Sequence, residues 1–491
     1  MGIFSRKSKL KAEPPPMRVE KVVVPSKPRT TLRPTRSLPA SASSSSHLSP
    51  SAPIPPKRRR RHSTPPSSDE KGRARLKRKV ATSSTSRDSP AFGNDSESDE
   101  EDGDPFKKRL RRADARTVDV NRRVRHKKAF GDTVREPRII HAADRASRAT
   151  GCPPITGAKD DEVAIELQYP SRCARERYEL VWQKEKIDAV KDILTVLEHV
   201  AETYLTEAES RPFIDHNASF KRQMERASTE NYRDVPVFRS ALANYNKKLL
   251  ELVEDGTVAK NLDKIHHLPP SLVSFILSQV YDRVVAPHVD SLNKYKNGSD
   301  NVYGELLHPF ATHILVQQTK MTSDQVFVDL GSGVGNVVLQ AALEIGCRSY
   351  GCEMVENLCN LAEEQEKEFR SRCLLWGVNP GRVHLERGDL RANKKIQDVL
   401  KTADVVLVNN KAFTPDLNAA LVNMFLDLKP GCKIISLASF LYAGNKNAIN
   451  DVASSILDVD TFSYQKDWVS WSGQDGQYYI STRKGAESLS P

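Results

Sequence analysis

Apolar residues fall into two textures along this chain. Across residues 172–205, Tyr178, Val181, Trp182, Ile187, Val190, Ile193, Leu194 and Leu197 recur at intervals of three and four, the spacing that lines one face of a helix. Further helix is expected over 238–253 and, behind Pro269-Pro270, over 271–285, where proline suits the first turn. Beyond Asn301 short apolar runs alternate with helical patterns. Strands are expected at 326–330, 348–353, 383–386, 404–409 and 433–438, with helices at 336–345, 358–377 and 416–428 between them. This rhythm predicts a parallel, doubly wound sheet with helices on both faces. Segments 468–471 and 477–483 flank Gly473-Gln474-Asp475-Gly476 and are read as the arms of a terminal antiparallel hairpin.

Charge divides the chain at a different place. Residues 1–150 carry 37 Lys and Arg against 17 Asp and Glu, or +20; the whole chain is +12, which leaves −8 for residues 151–491. The first 90 residues hold one aromatic, Phe4, among many Pro and Ser. They bury too little apolar surface to offset chain entropy and are expected to be disordered. Basic runs at 57–61, 73–79 and 107–112, the last two separated by an acidic patch at 95–104, suggest nuclear import or contact with DNA phosphates. The plainer alternative is a solvated linker. No run of 18 apolar residues exists and no apolar stretch follows the N-terminal charges, so neither a membrane span nor a leader is expected. Seven cysteines without a C-x-x-C pair point to reduced thiols in a cytosolic or nuclear protein, without a zinc site or other metal centre. Cys347, Cys352 and Cys359 are expected to pack in the core.

The chemistry begins where the first strand of the sheet ends. Val326-Phe327-Val328-Asp329-Leu330-Gly331-Ser332-Gly333-Val334-Gly335-Asn336 runs from an apolar strand through an acid and three glycines into a helix. Glycines let the backbone turn sharply and approach a flat ligand. A dinucleotide fingerprint, G-x-G-x-x-G, would need glycine at position 336. The pattern here, D-x-G-x-G-x-G, is typical of enzymes that bind S-adenosylmethionine. Asp329 suits that donor's sulfonium and ammonium better than a phosphate. A nicotinamide oxidoreductase is the competing reading, with Asn336 against it.

Ligands of doubly wound sheets sit at the carboxyl ends of the strands, so the strand tips matter next. Glu353 ends the second strand, 18 residues past Gly335, where an acid can accept from ribose hydroxyls. Asp389, after the third strand, is placed to accept from an adenine amino group, and Leu390 to cover a face of the ring; a turn-capping Asp is the alternative. The fourth strand ends in Asn409-Asn410-Lys411-Ala412-Phe413. An asparagine carbonyl there can accept from an incoming amine, and the absence of Pro-Pro-aromatic argues against flipped-base chemistry.

Four runs carry a resemblance: Val302-Tyr303-Gly304-Glu305-Leu306; the glycine run; Val408-Asn409-Asn410-Lys411-Ala412-Phe413; and Val469-Ser470-Trp471 with Tyr478-Tyr479-Ile480-Ser481-Thr482. Together they resemble the non-SET histone-lysine methyltransferases named for disruption of telomeric silencing, in their fungal branch. The resemblance implies a seven-stranded class I S-adenosylmethionine-dependent methyltransferase (Rossmann-like) fold over 301–485. A helical subdomain over 160–300 and the basic tail over 1–150 would precede it. It implies methylation of lysine-79 of histone H3 in nucleosomes, in the nucleus, with roles in chromatin regulation and telomeric silencing. Carried over by position, Tyr303, Gly304, Glu305, Leu306, the residues Phe327, Val328, Asp329, Leu330, Gly331, Ser332, Gly333, Val334, Gly335 and Asn336, then Glu353, Asp389 and Leu390 would line the donor pocket. Asn410, Trp471 and Tyr478 would border the lysine channel. Leu390 departs from the phenylalanine of animal members and stacks differently on a ring. The implied partners are the nucleosome, with a basic histone tail as a docking contact, and DNA phosphates met by the tail. The enzyme would act as a monomer, away from membranes. Two further readings stay open: a catalytically silent chromatin-binding module, and a protein-arginine methyltransferase, which would need a pair of glutamates where Asn409-Asn410 stands.

Overall fold

The computed structural model describes residues 118–131, 137–155, 158–159, 162–182, 187–229, 234–292, 304–441 and 452–485. The basic runs, the acidic patch and Tyr303 lie outside them. Two strands, β1 (Ala164–Leu167) and β2 (Glu176–Glu179), pair as an antiparallel hairpin. Six helices follow: α1 (Ala189–Thr203), α2 (Glu207–Ile214), α3 (Phe220–Ser228), α4 (Val235–Glu254), α5 (Thr257–Asp263) and α6 (Pro270–Val284). The seven-stranded sheet is built from β3 (Val326–Leu330), β4 (Arg348–Glu353), β5 (Val383–Arg387), β6 (Val405–Val408), β7 (Lys433–Ser436), β8 (Leu457–Tyr464) and β9 (Gly476–Arg483). Its order is β5-β4-β3-β6-β7-β9-β8. Every neighbouring pair is parallel except those made by β9, which runs antiparallel to β7 and β8.

The central strands form where the sequence predicts them, because both faces are covered. Val326–Leu330 and Val405–Val408 are buried at every position, and a strand buried on both faces reads as a continuous apolar run. Helices α7 (Asn336–Gln340), α8 (Glu356–Leu375), α9 (Lys394–Leu400) and α10 (Pro415–Met424) supply the connections. No helix among the described residues is long and apolar enough to cross a membrane.

Three expectations change. The terminal hairpin pairs β9 with Leu457–Tyr464, not with 468–471, which is a loop bridged through Val469 to Leu306 and Ser472. In Leu457-Asp458-Val459-Asp460-Thr461-Phe462-Ser463-Tyr464 the apolar positions change phase at Thr461, so the period of two breaks half-way along. Helix does not begin at 172: residues 176–179 are strand β2, and α1 starts at Ala189, where Asp188 caps it by accepting from the Lys191 N–H. The alternation of β2 is hidden because one of its buried members, Glu176, is a charge. Finally, 118–131 and 137–150, counted with the tail by composition, pack on the folded body. Arg122, Val124, Ala129 and Ala142 are buried, and Arg122 Nη2 donates to the Leu343 carbonyl (3.2 Å).

A buried ionic cluster joins the hairpin to two helices. The Glu176 carboxylate accepts from Arg283 of α6 (2.9 Å) and Arg372 of α8 (2.5 Å), and Arg372 also pairs with Glu368 (2.7 Å). The Tyr169 hydroxyl and the Ala142 N–H donate to Glu176 as well. Burial alone would raise this carboxyl, but the two guanidiniums overcome it and hold it at about 2. Its stabilising contribution is therefore present above the ordinary carboxylate range and lost only as pH falls toward about 2. Removing one partner leaves the others buried and uncompensated. Glu176→Gln and Arg372→Met are each expected to lower unfolding free energy by about 3–5 kcal/mol, measured by urea denaturation. A loss below about 1 kcal/mol in both would show that the cluster contributes no more than a surface pair.

Candidate active site

A cavity of ≈ 490 Å³ opens at the carboxyl ends of β3 to β6, within the size range of small-ligand sites. The glycine run shapes its floor. Gly331 and Gly335 have φ of 86° and 88°, left-handed values that favour glycine. A Cβ on Gly335 would also stand 3.3 Å from Leu385. The Gly331 and Ser332 N–H groups both donate to the Cys352 carbonyl (2.9 and 3.0 Å), tying the turn to β4. Glu353, at the tip of β4, completes the tie. Its Oε2 accepts from the Gly333 N–H (2.9 Å), and its Oε1 accepts from Met354 (2.9 Å) and Val355 (2.8 Å). A carboxylate offers about four acceptor sites, so Glu353 retains one of them for a ligand hydroxyl.

Asp329 faces the cavity at 4 % exposure. Burial, and then the charge of Glu353, push its carboxyl up to about 8. Gly304, Glu305, Leu306, Ser332, Gly333, Val334 and Asn336 share the lining. Asp389 and Leu390 line the opposite wall, where Asp389 is held by the Arg391 guanidinium (2.6 Å), which keeps its carboxyl below the usual range. An adenine amino group would meet an oxygen already shared with Arg391.

Several candidates lie elsewhere. Phe327, Val328 and Leu330 are wholly buried strand residues; their side chains enter the cores on either face of the sheet and only backbone connects them with the site. Gly335 begins α7 beneath the lining. Tyr478 is fully buried, its ring beside Phe310 and Phe462 and its hydroxyl 3.0 Å from His313 Nε2. Trp471 is 37 % exposed and stands outside the lining. It touches the site through Gly304, where an added Cβ would be 2.7 Å from its ring. Tyr303 is outside the described residues.

Asn410 requires a correction. Its Oδ1 accepts from the Leu437 N–H (3.0 Å) and the Ala438 N–H (2.8 Å), and its Nδ2 donates to Asn418 Oδ1 (2.9 Å) and the Ala438 carbonyl (3.1 Å). All four hydrogen-bonding positions of the amide are used, so this side chain clamps β6 to β7 and has nothing left for an amine. Its neighbour, not Asn410, faces the cavity. Asn409 lines the cavity and donates from Nδ2 to the Gly304 carbonyl (3.1 Å), while its buried Oδ1 has no partner. Strand parity carries the signal that distinguishes them. Leu407 lines the cavity and is registered opposite Asp329, and a strand returns to one face every second residue, which selects 409. Phe413, also in the lining, belongs to the same tip motif.

A parallel sheet with one reversed strand near its edge, a glycine turn bound to the tip of β4, and acids at the ends of β3 and β4 define an S-adenosylmethionine-dependent methyltransferase. The residues fit that donor: Asp329 answers a cation, Glu353 a hydroxyl, and the apolar wall a flat ring. The family model described as histone methylation protein DOT1 matches residues 281–483. A protein of Gibberella zeae is 58% identical over 426 residues, covering 85% of this chain and 86% of that one. Relatives in Chaetomium globosum (55% over 383 residues; 78% and 74% covered) and Aspergillus fumigatus (46% over 396 residues; 79% and 78%) are also similar. All three are named histone-lysine N-methyltransferase, H3 lysine-79 specific. The chain belongs to this family of histone-lysine N-methyltransferases.

Two outcomes are expected. The donor is cationic and favours ionised Asp329, so its binding releases a proton and tightens as pH rises toward about 8. Calorimetry in buffers of different ionisation enthalpy reads the proton directly, and Asp329→Asn should abolish its release. Asn409→Ala should lower turnover far more than stability. Asn410→Ala should instead cost about 1–3 kcal/mol of unfolding free energy, because it strands buried backbone donors. The reverse pattern would restore Asn410 to the channel.

Proposed function

We propose that this chain transfers methyl groups from S-adenosylmethionine to lysine-79 of histone H3 within nucleosomes, in the nucleus. The observation that carries the reading is the 58% identity that extends over 85% of this chain and 86% of a relative of that name. The bound donor supplies an electrophilic methyl group on a sulfonium. The protein's part is placement. The glycine run, Glu353 and Asp329 hold the donor, with Leu390 against its ring and Asp389 at its edge. The unpartnered Asn409 Oδ1 accepts from the lysine amine and fixes the line of attack. Such alignment is worth roughly 7–11 kcal/mol of barrier. The amine must arrive neutral, although free lysine has a pKa of about 10.4. Entry into a dry site beside a cation lowers that value, and the proton leaves to water before transfer.

Charge supports the choice of a nucleosome. Residues 1–117 carry 28 Lys and Arg against 13 Asp and Glu, or +15, and attract DNA phosphates without reading sequence. Residues 118–491, at −3, meet a basic histone tail without being drawn onto the DNA by their own net charge. Radiolabelled methyl transfer to nucleosomes beside free histones, with mapping of the labelled residue, is the test. Label on nucleosomal H3 lysine-79 is expected, and label only on free histones, or on arginine, would overturn the reading. Removing residues 1–117 should leave folding intact, weaken nucleosome binding, and reduce the log–log salt slope by about 0.9 for each phosphate that the tail had neutralised. An unchanged slope would exclude the tail as a DNA anchor.

A further inference from the structure

One chain of hydrogen bonds, buried at its start and exposed at its end, runs from the glycine turn to the loop that carries Trp471. It begins at Gln365 of α8, 1 % exposed. Gln365 Nε2 donates to the Val334 carbonyl (2.7 Å) inside the glycine run and to Asn336 Oδ1 (3.1 Å) at the start of α7. Asn336 Nδ2 then donates to Glu305 Oε1 (3.0 Å). Glu305 is 8 % exposed and is also hydrogen-bonded to Tyr281 of α6. Its backbone makes the last link: the Glu305 N–H donates to Ser470 Oγ (2.8 Å), and the Ser470 N–H donates to the Glu305 carbonyl (2.9 Å).

The two ends of this chain serve different substrates. Val334 and Asn336 line the donor cavity. Ser470 precedes Trp471, whose ring rests on Gly304, and the Gly304 carbonyl receives Asn409 Nδ2. The Leu307 N–H donating to the Trp468 carbonyl (2.9 Å) and the Leu306–Val469 bridge keep segments 304–307 and 468–471 paired. A displacement of Asn336 therefore breaks the Glu305 contact or carries segment 304–307 with it, and the paired loop follows. Breaking is costly at low dielectric, where an unpaired polar group is penalised most.

We propose that Gln365 and Ser470 are positioning residues that couple donor binding to acceptor binding, acting through Asn336 and Glu305. Occupation of the glycine turn fixes the loop beside Trp471, and a seated nucleosome stiffens the turn in return. The inference rests on the nucleosomal reading of the site. Coupling between sites is reciprocal and typically amounts to about 5–150-fold in affinity.

The test measures the affinity of S-adenosylhomocysteine, the non-reactive product of the donor, by calorimetry with and without saturating nucleosomes. The full-length wild type should bind it at least about 5-fold more tightly in their presence. Gln365→Met and Ser470→Ala should bring that ratio close to one, while Ser470→Thr, which keeps the hydroxyl, should preserve it. The KM for nucleosomes should rise in the first two variants more than kcat falls. Ser470 is exposed, so its alanine variant decides the matter even if Gln365→Met fails to fold. Equal affinity with and without nucleosomes in the wild type would overturn the inference, as would full coupling in Ser470→Ala or its loss in Ser470→Thr. The outcomes separate the two readings. No methyl transfer to nucleosomes sinks the functional reading, whereas transfer without coupling sinks this inference alone.

Discussion

The Glu176 cluster is the constraint on which the rest of the molecule depends. An isolated buried charge costs several kcal/mol, so Glu176, Arg283, Arg372 and Glu368 are tolerable only as a set, to which Asp192 adds a carboxyl 3.9 Å from Arg283. Completeness fixes position. The hairpin strand β2, helix α6 and helix α8 must meet at one point with hydrogen-bonding accuracy. Tyr169, which donates to Glu176, also packs edge-on against Trp376 (ring centroids 5.0 Å apart), while the Trp376 Nε1–H donates to Gln279 of α6 (2.9 Å). Polar and aromatic contacts thus converge on the end of α8 far from the cavity.

Helix α8 carries that constraint to the chemistry. Its 20 residues extend about 30 Å. Its first turns bring Leu358 into the cavity wall, its middle places Gln365 under the glycine turn, and its last turns hold Glu368 and Arg372. The same helix therefore spans the donor site and the ionic cluster. Because α6 supplies both Arg283 to the cluster and Tyr281 to Glu305, the helical layer and the sheet are joined at two places along one direction. The cavity inherits rigidity from elements that never touch a ligand, as a site that works by alignment requires.

What the sequence revealed, and what it hid, follows from which forces leave a pattern. Strands β3 and β6 were legible because burial on both faces demands continuous apolar runs, whereas β4 and β5, which carry polar and charged residues, were legible from their alternation with helices. The glycine turn was legible because a sharp backbone turn needs particular residue types at a fixed spacing, and the same spacing pointed to Glu353, which lines the cavity and binds that turn. Strand β2 was hidden because its buried position is filled by a glutamate whose partners lie 107 and 196 residues away. Strand β8 was hidden by its change of phase. Asn409 and Asn410 are the same residue type side by side, so composition cannot separate them; only parity from Leu407, and the clamp that Asn410 makes on Leu437 and Ala438, distinguishes the one that faces the cavity. Tyr478 and Trp471 share a motif, yet one is a core ring and the other stands outside the cavity against Gly304.

The boundary between tail and body has a consequence for how charge is delivered. Composition put it near residue 150, because basic residues continue through 118–148. The packing puts the first contacts at 119–124: the Ser323 N–H donates to Asp119 (2.7 Å), Arg122 reaches Leu343, and the Asn379 N–H donates to the Val124 carbonyl (2.7 Å). Ser323 precedes β3 and Asn379 precedes β5, so this segment crosses the amino ends of the strands, while the cavity lies at their carboxyl ends. The charges of Arg122 and Arg125, which composition assigns to the tail, are therefore delivered to the folded body, where Arg122 is buried against Leu343 and Arg125 pairs with Asp263 (2.7 Å).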